Sequence, residues 1–294
     1  MKELVILSGK GGTGKTVIAA SLIKIQPSVV AADCDLDAPN LDLLFNSREL
    51  SRAPLIMQRA FIRTDSCDGC GICASHCRFQ AIAMVKKGKN RYAKIDLDRC
   101  EGCGLCSHLC PQTAIELRGQ DIGERFLSKI DNGWLSHGNL EPPAENVGKF
   151  AMEIKNAARD KAIEESIPLL IVDGPPGIAC TAIATLSGAD LCLLVTEPTA
   201  SGAHDMERVA ALAKRMSVPT ALVINRFDLN PKKADEIERR AKDLQIEVVS
   251  KVPFCEMVYD SLANGKPVVD LFPDSVFSRC MRKIDGYIHN VLLM

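Results

Sequence analysis

Five short apolar runs punctuate the chain: Glu3-Leu4-Val5-Ile6-Leu7, Val29-Val30-Ala31-Ala32, Leu169-Leu170-Ile171-Val172, Leu191-Cys192-Leu193-Leu194-Val195 and Ala221-Leu222-Val223-Ile224. None alternates apolar with polar residues, so each reads as a strand buried on both faces rather than a half-exposed one. Between them the pattern predicts helices over 17–25, 144–165, 203–216 and 231–243. Strand and helix in alternation predict an α/β chain: a mostly parallel sheet with helices on both faces.

The alternation breaks between residues 58 and 118. There the chain repeats itself at an offset of 33: Cys67-Asp68-Gly69-Cys70-Gly71-Ile72-Cys73, Cys77 and Ala81-Ile82 return as Cys100-Glu101-Gly102-Cys103-Gly104-Leu105-Cys106, Cys110 and Ala114-Ile115. A regular repeat inside an α/β pattern predicts a small α+β inserted domain over 58–118, with 1–57 and 119–294 forming the larger one. Asn132-Gly133 and His137-Gly138-Asn139 are turn signals and predict a hairpin within 119–142.

Composition narrows the function. A net charge of −1 gives no bulk attraction to nucleic acid or to a membrane surface. No apolar run approaches the ~18 residues of a spanning helix, and the apolar start is too short for a signal peptide. A cytoplasmic protein without stable membrane insertion is expected. The segment Ile284-Asp285-Gly286-Tyr287-Ile288-His289-Asn290 reads as interrupted and not basic, unlike an amphipathic membrane anchor. Of 13 cysteines, eight lie between Cys67 and Cys110. An odd total and a reducing compartment argue against disulfides and for metal ligation.

Gly9-Lys10-Gly11-Gly12-Thr13-Gly14-Lys15-Thr16 follows the first strand and opens the first helix. In that context it is a phosphate-binding loop: backbone N–H groups wrap the phosphates, Lys15 reaches the β- and γ-phosphates, and the Thr16 hydroxyl holds Mg²⁺. The general motif does not require Lys10. With that extra lysine the sequence resembles the MinD/Mrp/ParA ATPases, the group that includes the nitrogenase iron protein. The resemblance implies ATP hydrolysis and an ATP-dependent homodimer, with Lys10 reaching the other subunit's nucleotide. It also implies roles further on. Asp33-Cys34-Asp35-Leu36-Asp37 matches switch I, with Asp35 orienting or activating the attacking water and Asp33 near the Mg²⁺ shell. Asp37 is either close to the site or a solvated loop carboxylate. Asp173-Gly174-Pro175-Pro176-Gly177 matches switch II, with Asp173 on the Mg²⁺ side and Gly177 sensing the γ-phosphate. Asn225 matches an adenine-contacting asparagine, with Pro253-Phe254 as the adjacent base-binding wall.

Cys-x2-Cys-x2-Cys-x3-Cys occurs twice, the spacing of bacterial-type two-cluster ferredoxins. The fourth cysteine of each run ligates the other run's cluster. Cys67, Cys70, Cys73 and Cys110 are therefore expected to hold one [4Fe–4S] cluster, and Cys100, Cys103, Cys106 and Cys77 the second. Zinc, which favours four local ligands, is the competing metal. Arg78 stands where the second run has Pro111. Outside the insert, Cys180 follows Asp173 by seven residues, the spacing of a cluster-ligating cysteine in the nitrogenase iron protein. It is either an interfacial metal ligand or a small residue packed under the switch. Two functions remain open. One is ATP-gated electron transfer to a redox partner. The other is a metal or cluster assembly, carrier or partner-positioning ATPase.

Overall fold

The computed structural model describes residues 1–88, 90–140 and 147–293. In chain order the elements are β1 (Lys2–Ser8), α1 (Lys15–Ile25), β2 (Val29–Asp33), β3 (Arg48–Ile62), α2 (Ile72–His76), β4 (Ile82–Lys87), β5 (Asn90–Ile95), α3 (Leu105–Leu109), β6 (Ile115–Ile130), β7 (Gly133–Leu140), α4 (Val147–Glu164), β8 (Leu169–Pro176), α5 (Cys180–Leu186), β9 (Leu191–Thr196), α6 (Ala200–Arg215), β10 (Thr220–Asn225), α7 (Pro231–Asp243), β11 (Glu247–Val252), α8 (Met257–Ala263), α9 (Val268–Leu271) and α10 (Val276–Leu292). The helix expected over 144–165 is α4; its first three expected residues lie outside the described residues.

Contacts divide the chain into two compact units. The first comprises 1–52, 125–139 and 147–293; the second is mainly Ala53–Glu124. The expected limits of the insert, 58 and 118, fall inside β3 and β6, the long strands on which the chain passes from one unit to the other.

In the first unit the sheet order runs β11-β10-β9-β1-β8-β2-β7. The pairs from β11 to β7 are parallel. Leu4, Val5, Ile6 and Leu7 are fully buried, as a central strand covered on both faces requires. Register places Asp33 of β2 beside Asp173 of β8. Two carboxylates thus share the carboxyl end of the sheet, where open α/β sheets bind ligands.

Two loops are pinned by side chains, one from the Asn132-Gly133 turn signal and one the pattern did not single out. Asn132, in the two-residue turn between β6 and β7, donates its amide to the carbonyls of Ile23 (2.7 Å) and Gln26 (2.8 Å), closing the C-terminus of α1. Lys155 of α4 is fully buried and donates to the carbonyls of Thr185 (2.6 Å) and Ser187 (2.8 Å) at the end of α5, with Glu3 2.9 Å away. Burial lowers the Lys155 pKa against the pull of Glu3. The helix after Asp173 is therefore tied to α4.

The segment read as interrupted is α10, a 17-residue helix. Phe277, Met281, Ile284, Ile288 and Leu292 are buried along one stripe in the main core. Its apolar face is spent on the protein itself. Among the described residues no helix is long and apolar enough to cross a membrane.

The second unit is small. Strands β4 and β5 form an antiparallel hairpin, from Ile82 opposite Ile95 to Lys87 opposite Asn90. The one-turn helices α2 and α3 carry equivalent positions of the repeat. One buried cluster is Ala60, Cys73, Ala81, Ile82, Ala93, Cys100 and Ile115, with Cys67, Cys77, Cys106 and Cys110 packed against it; Leu55, Met57, Ala114 and Ile122 are buried as well.

Candidate functional site

A cavity of about 580 Å³ opens over the phosphate loop. It is lined by Gly11 to Val17, by Asp35 and Asp37, by Asn225 and Arg226, and by Pro253, Phe254, Cys255 and Tyr259. The structure thus brings together the loop, one aspartate pair and the expected base wall. The loop needs left-handed backbone at Gly14 (φ 87°), where a Cβ would also overlap the Asn225 amide.

Lys15 begins α1 and is almost fully buried. Its Nζ lies 2.7 Å from Asp173 Oδ1 and 3.7 Å from Asp35 Oδ2. Burial opposes its charge, but Asp173, then Asp35 and Asp33, outweigh it, and the net pKa is raised. The ammonium is held by the same kind of anionic oxygens that a triphosphate offers. Asp173 Oδ2 and Thr13 Oγ1 are buried without a protein partner. An orphaned carboxylate oxygen beside the phosphate loop suits a divalent cation, and Thr16 lines the same cavity. The residues present fit Mg²⁺.

Asp33, beside Asp173 in the sheet, is held by three backbone N–H groups. Its Oδ1 accepts the Asp35 N–H (3.1 Å), and its Oδ2 accepts those of Asn40 (3.1 Å) and Leu41 (3.0 Å). It shapes the loop that carries Asp35. Burial first, and then Asp173, raise its pKa to about 7. Burial also raises the Asp35 pKa, with Lys15 opposing and Asp173 adding to the shift. Because the folded Asp33 holds its proton more tightly than the unfolded residue, its ionisation costs stability above pH 7. Lowering the pH from 8 to 6 without added nucleotide should stabilise the protein by about 1 kcal/mol. Differential scanning calorimetry should show a midpoint rising across that range, with the rise absent in Asp33→Asn; an equal rise in that variant would assign the proton elsewhere.

Gly177, at φ 86°, donates its N–H to the Ser8 carbonyl (2.8 Å), tying the turn after β8 to the end of β1. Asn225 lines the cavity but is already engaged. Its Nδ2 donates to the Thr13 carbonyl (2.7 Å), and its Oδ1 accepts the Arg226 N–H (3.0 Å). Phe254 donates its N–H to Asp228 Oδ1 (2.7 Å), and its ring lies 6.2 Å from that of Tyr259. Cys180 opens α5 and is exposed. Sequence reasoning missed Glu197 and Arg226. Arg226 NH1 donates to the Gly12 carbonyl (3.2 Å) and lies 3.4 Å from Glu197, and Glu197 also meets Lys10.

In the second unit the cysteines line two hollows. Cys77, Cys100, Cys103 and Cys106 line one of about 320 Å³, together with His76, Arg78 and Cys73. Cys67, Cys70, Cys73 and Cys110 line the other, a narrow one of about 10 Å³, with Asp68 and Pro111. Each hollow is lined by three cysteines of one run and the fourth of the other, with Cys73 lining both. Burial, then the neighbouring Cys100 and Cys103, push the Cys106 thiol up to about 11. The Ala60 N–H points at Cys100 Sγ (3.4 Å) and the Ala114 N–H at Cys110 Sγ (3.3 Å). Gly102, at φ 62°, passes so close to the Gln58 carbonyl that a Cβ would overlap it. Among the described residues no three Cys, His, Asp or Glu side chains converge as they would on a single metal ion.

Residues 4–268 match the model of the CobQ/CobB/MinD/ParA nucleotide binding domain. The uncharacterised protein MJ0578 of Methanocaldococcus jannaschii is 36% identical over 231 residues, covering 78% of this chain and 79% of that one. Among solved structures, septum site-determining protein MinD of Pyrococcus horikoshii, complexed with Mg-ADP, superposes with a TM-score of 0.59 at 17% identity, covering 98% of this chain and 95% of that one. The MinC:MinD cell division complex of Aquifex aeolicus gives a TM-score of 0.59 at 18% identity, covering 99% and 96%. These structures share the fold. The chain belongs to the CobQ/CobB/MinD/ParA nucleotide-binding family and is an ATP-binding ATPase of the MinD/ParA type.

Proposed function

We propose that this chain is a cytoplasmic, ATP-driven homodimer whose nucleotide state is coupled to electron transfer through two [4Fe–4S] clusters held within 53–124. The crossed lining of the two hollows carries the cluster reading: each combines three cysteines of one run with the fourth cysteine of the other, and Cys73 stands between them, lining both. Zinc would ask for four neighbouring ligands on one ion, and no such convergence is present among the described residues. Cubane ligands stand further apart, around a bulkier core. Bound clusters would supply reversible one-electron storage. The chain contributes the eight thiolates, the Ala60 and Ala114 N–H groups aimed at sulfur, and a cationic side chain, Arg78, on the larger hollow.

On the ATPase side, Lys15 exchanges Asp173 and Asp35 for the β- and γ-phosphate oxygens. Asp35 then loses the ammonium that now opposes its protonation, and its raised proton affinity suits it to orient and deprotonate water. Thr16 and the unpartnered Asp173 Oδ2 would hold Mg²⁺, which neutralises phosphate charge. Pro253 and Phe254 form the apolar wall for the base, while Asn225 keeps the phosphate loop in shape. Lys10 acts on the nucleotide of a second copy.

Asp35→Asn should retain ATP binding and lose roughly 10²-fold in turnover. Coupling is tested by measuring turnover and self-association with the iron oxidised and with it reduced by dithionite. A change of twofold or more supports electron transfer. Identical behaviour in both states would favour a second reading, in which ATP positions or loads a protein partner; the seating of MinC on a MinD of this fold favours that alternative.

A further inference from the structure

Lys10 is engaged within its own chain. Its Nζ lies 2.6 Å from Glu197 Oε1, and it donates to Ser201 Oγ (3.2 Å) and more loosely to Thr199 Oγ1 (3.4 Å). An ammonium has three N–H donors, and these three acceptors account for all of them. Glu197 stands in the turn between β9 and α6, with only 16% of its side chain exposed. The turn itself is built. Thr199 caps α6 by accepting the Gly202 N–H (2.9 Å), and Thr196 Oγ1 donates to the Gly202 carbonyl (2.9 Å). Glu197 therefore presents its carboxylate from a fixed position.

We infer that Glu197 is a positioning residue that holds Lys10 in cis, and that transfer of Lys10 from Glu197 to phosphate is a step of ATP-dependent self-association. The inference rests on the reading of Lys10 as acting on a second copy's nucleotide. A lysine with all its donors used cannot reach another subunit's phosphate until Glu197 lets it go. Arg226 makes the release inexpensive. Its NH1 lies 3.4 Å from Glu197 Oε2, so the carboxylate keeps a cation after Lys10 leaves. A half-buried carboxylate left with no partner would oppose the exchange much more strongly. Arg226 also donates to the Gly12 carbonyl, which places this reserve cation against the phosphate loop. Glu197 thus sets how much ATP is needed before two copies associate.

Glu197→Gln keeps the size of the side chain and one acceptor oxygen but removes the charge. Sedimentation velocity across an ATP titration should show half-maximal self-association at two- to fivefold lower ATP, the range expected for a partly exposed ion pair. Ser201→Ala, which removes one neutral acceptor, should shift it in the same direction by less. Glu197→Asp should stay near the wild type. Lys10→Ala should abolish self-association at every ATP concentration. If Lys10→Ala does so while Glu197→Gln and Ser201→Ala need as much ATP as the wild type or more, the holding role is overturned. If self-association survives Lys10→Ala, the reading of Lys10 itself falls.

Discussion

Replacing Lys15 by methionine should abolish ATP turnover and, without added nucleotide, destabilise the larger unit by about 3–5 kcal/mol. Lys15 is the cation among Asp33, Asp35 and Asp173, three acids at the end of two adjacent strands. Methionine fills the same space but leaves Asp173 buried beside its neighbours without its ion pair. The raised pKa values of Asp33 and Asp35 show how little further negative charge the site tolerates. Losing the β- and γ-phosphate contact should remove at least ~10³-fold in turnover, since positioning and charge stabilisation supply nearly all of phosphoryl-transfer catalysis. Adding Asp173→Asn should recover much of the stability and none of the turnover. Urea denaturation followed by tryptophan fluorescence reads the first effect, and phosphate release the second. A Lys15→Met protein as stable as the wild type would mean that the three acids are neutralised by protonation rather than by the lysine.

The same physics explains which parts of the molecule were legible in the sequence. Buried parallel strands announce themselves as unbroken apolar runs, so β1, β2, β8, β9 and β10 were readable, and with them the α/β class. The phosphate loop was readable because its glycines and lysines are adjacent in the chain. Long strands such as β3 were not. Arg48 to Pro54 mixes charge, serine and proline, and most of that stretch is exposed. Helix α10 was hidden by Asp285 and Gly286, although Phe277, Met281, Ile284, Ile288 and Leu292 recur at spacings of three and four. A wider window would have caught it. Glu197 and Arg226 left no local signal, because their meaning lies in pairing with Lys10 and Gly12, far away in the chain. Asn225 lines the cavity over the phosphate loop, but its bond to the Thr13 carbonyl depends on the tertiary approach of β10 to the loop.

The cysteine-rich unit offers the second large effect, because crossed ligation makes a prediction that sequence neighbours alone would reverse. Cys70 and Cys77 belong to one run, yet they line different hollows. Cys77 and Cys103 belong to different runs, yet they line the same one. Cys77→Ala with Cys103→Ala should therefore remove one cluster and leave the other, taking iron from about eight to about four atoms per chain. Cys70→Ala with Cys77→Ala should impair both and leave little iron bound. The unit around them is small and has cysteines within its buried core, so metal binding and folding should be linked there. Hydrogen exchange should accordingly show protection within 53–124 falling sharply in the second double variant and only partly in the first, while β1 and β9 keep theirs. Iron retained to the same extent in both double variants would refute the crossed assignment, and zinc in place of iron in the wild-type protein would refute the clusters.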